Sequence, residues 1–273
     1  MTAAADRLGV TQSPVSQAIK RLENHVGARL INRLPSGVTP TPEGRRLLPQ
    51  VRVLVRDAAA LAATASRISE GTQQLRLGLV SSMPVSLCHS LTAGLHGHCP
   101  VETTVGTSDQ LVDAVSMMEI DVAVVEDPCP TADLLRGQLH DIPRLFAGLD
   151  ARPTRWAALS DLPDGVLLDN TRTVSPAAAD RLEDSLFALG IDLRPQSWDS
   201  PADFSSRLGA PGTVALVPPD LAALWPSVPA PRSLSMRLRC VVHPERTRAG
   251  NETEGIDLRA TVDRMLRSRV GIQ

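Results

Sequence analysis

The sequence predicts two modules of different fold class. The first is an N-terminal winged helix-turn-helix, all-α apart from a small β wing, continued by one long linker helix. The second is a C-terminal α/β domain of two subdomains. Three observations carry this prediction: a polar-faced amphipathic helix behind a glycine turn, a basic N-terminal segment followed by an acidic remainder, and a change from helical periodicity to strand–helix alternation beyond Gly71.

The first observation lies in "LGVTQSPVSQAIKRLE", Leu8 to Glu23, where Val15, Ile19, Leu22 and Val26 recur at steps of three and four and make one apolar stripe. Gln12, Ser13, Ser16, Gln17, Lys20 and Arg21 give the opposite face amides, hydroxyls and cations suited to base edges and phosphates. Upstream, "TAAADRLG" predicts a short helix closed by Gly9, a residue that accepts the left-handed conformation at a helix end. Thr11 or Ser13 can cap the next helix, and Pro14 suits a first turn, where its missing N–H has no intrahelical partner. Helix, tight turn and polar-faced helix describe a helix-turn-helix; a surface helix with a solvated polar face is the competing reading.

Charge separates the two. Residues 1–56 hold nine cations against three acids, a net of +6, so the rest of a chain whose formal charge is −2 carries −8. A basic module joined to an acidic body is the electrostatic footprint of a nucleic-acid binder with a separate binding domain. Among 273 residues there is no apolar run long enough to span a membrane and no basic-then-apolar leader, which predicts a cytoplasmic protein without membrane contact. Cys88, Cys99, Cys129 and Cys240 are scattered without a CxxC pair and read as reduced thiols.

Next comes "GARLINRLPSGVTPTPEGRRLLP". Leu30 and Ile31 open an extended piece, Pro35, Ser36 and Gly37 have turn chemistry, and Val38 and Thr39 resume extension, giving a hairpin wing with Arg33 as its main cation. Thr41 caps a helix that starts at Pro42 and runs to about Ser69. Its apolar positions, Leu47, Leu48, Val51, Leu54, Val55, Leu61 and Ile68, need a partner, and the same helix of a second subunit is the economical one. An interior Pro49 should kink the helix or thin its hydrogen bonding. The predicted domains are therefore 1–41, DNA-binding; 42–71, linker and dimerisation helix; and 72–273, effector-binding.

"AADRLGVTQSPVSQAIKRLENHVGARLINR", followed by "VTPTPEG" and a long Ala- and Leu-rich helix, resembles the LysR-type transcriptional regulators. Gln12, Pro14, Val15, Ser16, Ile19, Leu22, Glu23, Gly27, Leu30, Arg33, Thr41 and Gly44 fall at the family's spacings. The resemblance implies a homodimer or homotetramer that binds double-stranded DNA at an interrupted inverted repeat, answers to a small-molecule effector, and meets RNA polymerase if it activates. It also implies one more helix ahead of "TAAADRLG", so the DNA-binding domain is expected to be incomplete. Ser36 stands near where many relatives place a wing arginine.

Beyond Gly71, "LRLGLVS" (75–81), "VETTVG", "DVAVVE", "GVLLD" (165–169), "RPQSW" and "TVALVP" predict strands. They alternate with helices over Pro84 to Leu95, "SDQLVDAVSM", "PAAADRLEDSLFALG" and "PADFSSRL". This order predicts a mostly parallel α/β arrangement, and two such halves resemble the type 2 periplasmic-binding-protein fold of the family's effector domain. Ligands of such sheets sit beyond the carboxyl ends of strands, where helix N-termini offer free N–H groups. Ser81, Ser82, Thr107 and Ser108 from one half, and Asn170, Thr171 and Thr173 from the other, follow strands in this way and are the predicted effector residues. Ser81 and Ser82 are the best placed for an effector carboxylate. Plain helix capping is the alternative for each, and Arg172 reads as a loop arginine able to pair with an acid.

No phosphate loop, GxSxG elbow or HExxH occurs, which argues against an enzyme, a catalytic residue or a metal site, and no cofactor other than the effector is expected. Two other readings remain open. One is a truncated ligand-binding, oligomerising protein that no longer binds DNA by itself. The other is a metal or thiol redox sensor built on Cys88, His89, His96, His98 and Cys99, whose spacing matches no known site.

Overall fold

The structure, a computed structural model, describes residues 2–7, 9–34, 37–70, 74–148, 159, 165–248 and 257–270. It divides into two compact units, Met1–Leu61 and Ala62–Gln273.

In the first unit α1 (Thr2–Arg7) ends in a turn at Gly9, φ +63°, where the amides of Gly9 and Val10 donate to the carbonyls of Asp6 and Ala5. The left-handed backbone that glycine tolerates lets the chain reverse into α2 (Gln12–Val26). Thr11 precedes α2 with extended backbone, but its hydroxyl makes no cap; the Ser13 hydroxyl instead accepts from Gln17 Nε2 at 3.4 Å. The apolar stripe of α2 is half-covered, with Val15 and Ile19 part-buried and Leu22 and Val26 exposed. The wing is an antiparallel pair, β1 (Ile31–Leu34) and β2 (Gly37–Pro40), in register Ile31 to Pro40 through Leu34 to Gly37. Its predicted turn residues Pro35 and Ser36 lie outside the described residues.

Three of the residues that fall at family spacings, Glu23, Thr41 and Gly44, form the frame of this unit. Glu23 Oε1 accepts from the amides of Leu30 at 2.8 Å and Ile31 at 3.1 Å, tying the end of α2 to the wing. Those two bonds hold its carboxyl below the usual carboxylate range. The Thr41 hydroxyl donates to Arg29 O at 2.7 Å and accepts from Gly44 N at 3.0 Å, so one side chain caps α3 (Pro42–Glu70) and anchors the segment before β1. A Cβ on Gly44 would lie 2.1 Å from Leu30 O, so only glycine permits this approach. Helix α3 runs uninterrupted through Pro49. The boundary between units falls at Leu61, inside α3, where the sequence placed domain edges at the helix ends.

The second unit contains two sheets. Strands β3 (Leu75–Val80), β4 (Val101–Gly106) and β5 (Val122–Glu126) are parallel in the order β4-β3-β5, connected by α4 (Val85–His96) and α5 (Ser108–Ser116). Short β6 (Leu135–Arg136) and β7 (His140–Ile142) follow on the same sheet. The chain then crosses to the second sheet, of order β10-β9-β11-β8-β12. This sheet comprises β8 (Leu145–Ala147), β9 (Val166–Leu168), β10 (Arg194–Gln196), β11 (Thr213–Val217) and β12 (Ser227–Pro229), with α6 (Thr171–Val174), α7 (Pro176–Ala188), α8 (Pro201–Leu208) and α9 (Pro219–Ala222) between them.

The chain then returns to the first sheet. β13 (Met236–Val242) pairs antiparallel with β5, Val242 opposite Val122, and is followed by α10 (Pro244–Arg248) and α11 (Leu258–Val270), whose Val262 and Leu266 are buried in the first core. The sheets are mostly parallel, as read from the sequence, each with one opposing strand, but the first half is not consecutive in the chain. Both sheets are mixed, because β13 enters the first and β8 the second from the opposite direction. The first half is also closed by the end of the chain. Leu77, Leu91, Leu111, Val122, Val124 and Leu238 fill one core, and Phe146, Leu167, Leu182 and Val214 the other. Each such side chain contributes about 1.5–3 kcal/mol on leaving water.

Candidate nucleic-acid interface and ligand cleft

Helix α2 buries none of its residues, and it presents Gln12, Ser13, Pro14, Gln17, Lys20 and Arg21 as exposed positions, with Ser16 part-buried. Gln12, Ser13 and Pro14 form its first turn and the rest follow along the helix, the end that enters a major groove in helix-turn-helix proteins. Among the described residues neither Lys20 nor Arg21 has a hydrogen-bond or ion-pair partner, so both cations are available to phosphate. Arg33 is exposed on β1.

In the second unit the strand orders β4-β3-β5 and β10-β9-β11 repeat one pattern, in which successive connections leave the first strand on opposite sides. Such a sheet opens a crevice at the carboxyl ends of the strands where the connections diverge. On the first sheet that crevice lies between the ends of β3 and β5, and on the second between the ends of β9 and β11. Ser82, after β3, donates to Glu126 Oε2 at 2.8 Å, and Glu126 ends β5. Thr171, after β9, donates through its hydroxyl and its amide to Asp169 Oδ1.

The predicted effector residues divide by the work they already do. Ser81 is exposed and Ser82 part-buried. Thr107 caps α5 in a reciprocal box with Gln110, and Ser108 is fully buried, its hydroxyl accepting from Glu126 N at 3.2 Å. Asn170 holds the backbone of Trp198 in both directions, at 2.9 and 3.0 Å. Thr173 is exposed. Arg172 bridges Asp180 and Glu183 on α7 as a surface ion pair. Trp156, which the sequence could not place, lies outside the described residues.

Four charged residues at this place have no part in the sequence reading. Glu126, 1% exposed, and Arg144, 4% exposed on the first crossover, are buried together; Arg144 Nε donates to Leu234 O at 2.6 Å. Burial pushes the Glu126 carboxyl up, the Arg144 charge opposing, and burial pulls the Arg144 guanidinium down. Glu126 Oε1 and Arg144 Nη2 have no hydrogen-bond partner. Asp169 charge acts on both. Asp220, on α9 of the second sheet, accepts from the amide of Ser86 at 3.0 Å and its hydroxyl at 2.9 Å, so a carboxylate of one half occupies the N-terminus of α4 in the other. A signal existed for two of them: "DVAVVE" and "GVLLD" both finish a parallel strand on an acid.

The thiol and imidazole groups do not converge. Cys88 and Cys99 pack against the first core, while His89, His96 and His98 are exposed. Among the described residues no group of three or more His, Cys, Asp or Glu is placed to hold a metal ion. Burial pushes all four thiols up, Cys129 to about 12 with the Asp109 carboxylate adding to it. Cys240 and His140 both meet Asp263 Oδ1, at 3.4 and 3.3 Å, which ties α11 to the sheet.

The matching family model, described as bacterial regulatory helix-turn-helix protein, lysR family, covers residues 1–45. A probable hydrogen peroxide-inducible genes activator of Mycobacterium xenopi is 37% identical over 142 residues, 50% of this chain and 75% of that protein. The regulator IlvR of Caulobacter vibrioides is 33% identical over 203 residues, 70% of this chain and 67% of that one. This chain belongs to the LysR family. It is a DNA-binding transcriptional regulator, and α2 lies within the matched helix-turn-helix segment. The full fold is shared with solved LysR regulators. A full-length BenM variant superposes with a TM-score of 0.56 at 17% identity over 95% of this chain and 88% of that one. Full-length CbnR complexed with its target DNA gives 0.51 at 21% over 98% and 93%. No described helix is long and apolar enough to cross a membrane.

Proposed function

We propose that this LysR-family regulator works in the cytoplasm as a homodimer or homotetramer, reads an interrupted inverted repeat through the first turns of α2, and is reset by a small molecule bound between the two halves of its effector domain. The observation that carries the reading is the polar face of α2, with Gln12, Ser13, Gln17, Lys20 and Arg21 exposed, on a frame fixed by Glu23, Thr41 and Gly44. Gln12, Ser13, Ser16 and Gln17 contact bases, Pro14 shapes the first turn, and Lys20, Arg21 and Arg33 neutralise phosphate. Along α3, Leu48, Leu54, Val55 and Leu61 are exposed, an apolar line that a second copy of the helix would cover and that sets half-site spacing.

In the cleft, Ser81 and Ser82 after β3 and Thr171 and Thr173 after β9 would contact the effector, with Thr107, Ser108 and Asn170 bracing the neighbouring backbone. An effector that prefers one closure of the halves shifts the arrangement of the DNA-binding units through its differential affinity. It is the only small molecule the regulation needs, with no metal or further cofactor, and an activating form would also meet RNA polymerase.

The test is a salt-titrated anisotropy measurement on DNA upstream of the protein's own gene. Specific, salt-sensitive binding that Gln17→Ala removes supports the reading. Salt-independent behaviour, or a stable oligomer without DNA affinity, would move the ligand-binding reading to first place. Peroxide sensing, which the mycobacterial relatives' names bring to mind, finds no support in thiols that burial keeps protonated.

A further inference from the structure

Resting on the reading that the effector occupies the cleft, we propose that the effector is amphoteric: a cationic nitrogen beside a hydrogen-bond acceptor, as in a free amino acid. Glu126 and Asp169 take the nitrogen, and Arg144 takes the acceptor. A simple carboxylic acid, which the hydroxyls and helix N-termini alone would suggest, fits this cleft poorly.

The first ground is what already holds those anchors. Ser82 is bonded to Glu126, Thr171 to Asp169, and the α4 N-terminus through Ser86 to Asp220. An incoming carboxylate would meet a carboxylate at each of these three anchors, which leaves the Arg144 guanidinium to receive it; like charges at such range disfavour both.

The second ground is what is left over. Glu126 Oε1 and Arg144 Nη2 are buried without partners, although Glu126 Oε2 is engaged by Ser82 and Arg144 Nε by Leu234 O. Buried polar atoms are nearly always bonded, so a leftover acceptor and a leftover donor in one place specify a ligand with a donor and an acceptor. Glu126 belongs to the first half, Arg144 to the crossover and Asp169 to the second half, so a ligand spanning them touches both halves and favours one closure. The charges acting here are two acids, Glu126 and Asp169, against two guanidiniums, Arg144 and the part-buried Arg181 of α7, a balance that matches a zwitterion without net charge.

The test uses the full chain at neutral pH with matched trios: L-leucine, isopentylamine and 4-methylpentanoate; L-alanine, ethylamine and propionate. Thermal shift and calorimetry read binding. In at least one trio the amino acid binds about tenfold or more tighter than either fragment, the loss of one charged hydrogen bond. Glu126→Gln, which keeps the shape, removes that advantage, and Asp169→Asn supplies the second variant should the first fail to fold. Fragment acids that bind as tightly as the amino acids, or no binding by any trio, overturn the amphoteric class. If the acids bind and Ser82→Ala abolishes it, the cleft reading stands and only the class falls. Amino-acid binding indifferent to Glu126→Gln, Ser82→Ala and Thr171→Val alike would put the ligand elsewhere and remove both.

Discussion

On α2 the polar side chains stand away from the fold, and the bonds that hold the unit together lie behind them, between Glu23 and the start of the wing and between Thr41, Arg29 and Gly44. In the cleft the polar groups hold one another: serine on glutamate, threonine on aspartate, a helix N-terminus on an aspartate from the opposite half. The difference follows from what each surface meets. DNA brings its own acceptors and charge to a solvated face, so the reader needs donors on a rigid support and little rearrangement. A small ligand must be desolvated, so a site for one would keep most of its polar groups satisfied and leave to the ligand a few atoms such as Glu126 Oε1 and Arg144 Nη2.

The comparison breaks most sharply if the frame of the first unit is overpacked. Gly44→Ala places a Cβ against the Leu30 carbonyl and should destabilise the N-terminal unit by about 3 kcal/mol. Thermal unfolding would then show an early transition and lost DNA binding, while the effector-domain transition stays where it was. A single unchanged transition would mean that the backbone yields at this point and that Gly44 frames nothing. Removing a reading group instead of a framing one should leave stability alone. Gln17→Ala is expected to cost about 1–3 kcal/mol of discrimination between operator and random DNA, measured by competition anisotropy.

That contrast also explains what was legible in the sequence. Helix α2 could be read because its signals are local: a stripe at helical spacing, a glycine turn, and cations on one face. Glu23, Thr41 and Gly44 could be picked out by spacing, but their work as a frame could not, because it is done on backbone groups of Arg29, Leu30 and Ile31 that pattern does not reveal. In the effector domain β3, β4, β5, β9, β10 and β11 and helices α4, α5, α7 and α8 were legible for the same local reason, whereas the short β6, β7, β8 and α6 were not. The return of β13 and α11 to the first sheet was not, since antiparallel pairing of Val242 with Val122 joins residues far apart in sequence. Ser82 and Thr171 could be nominated from their place after strands, whereas Arg144 carries no local signal: it is one arginine in a crossover, and only burial beside Glu126 singles it out.

Smaller changes sharpen the picture on each side. Lys20→Ala removes one unpaired cation and should lower DNA affinity a few-fold at all sequences. It should also reduce the slope of log affinity against log salt by about 1, which separates it from Gln17→Ala. Across the cleft mouth, Asp220→Ala removes an exposed acceptor from Ser86 and should cost no more than about 1 kcal/mol. Its local mark is faster hydrogen exchange at the Ser86 and Leu87 amides, expected to rise a few-fold. Unchanged exchange there would show that the two halves stay closed without this contact.

The smallest expected effect concerns the thiols, where the prediction is nearly no reaction. Cys129 is pushed up to about 12, by burial first and then by the Asp109 carboxylate, whose Oδ1 lies 3.8 Å from Sγ. With so high a value only about one molecule in ten thousand carries the Cys129 thiolate at pH 8, so iodoacetamide, read by peptide mapping, should label Cys129 in the folded chain about a thousandfold more slowly than free cysteine. The sign runs with pH. The raised value favours the protonated thiol in the folded state, so its contribution to stability is complete below the ordinary thiol range and is lost as pH climbs toward 12. Labelling should therefore accelerate about tenfold per pH unit across that interval. Asp109→Asn should lower the onset while burial still holds it above that of free cysteine. Rapid thiol loss with peroxide at neutral pH in the native chain would require a cation beside one of these sulfurs, and at Cys129 the neighbour is an acid.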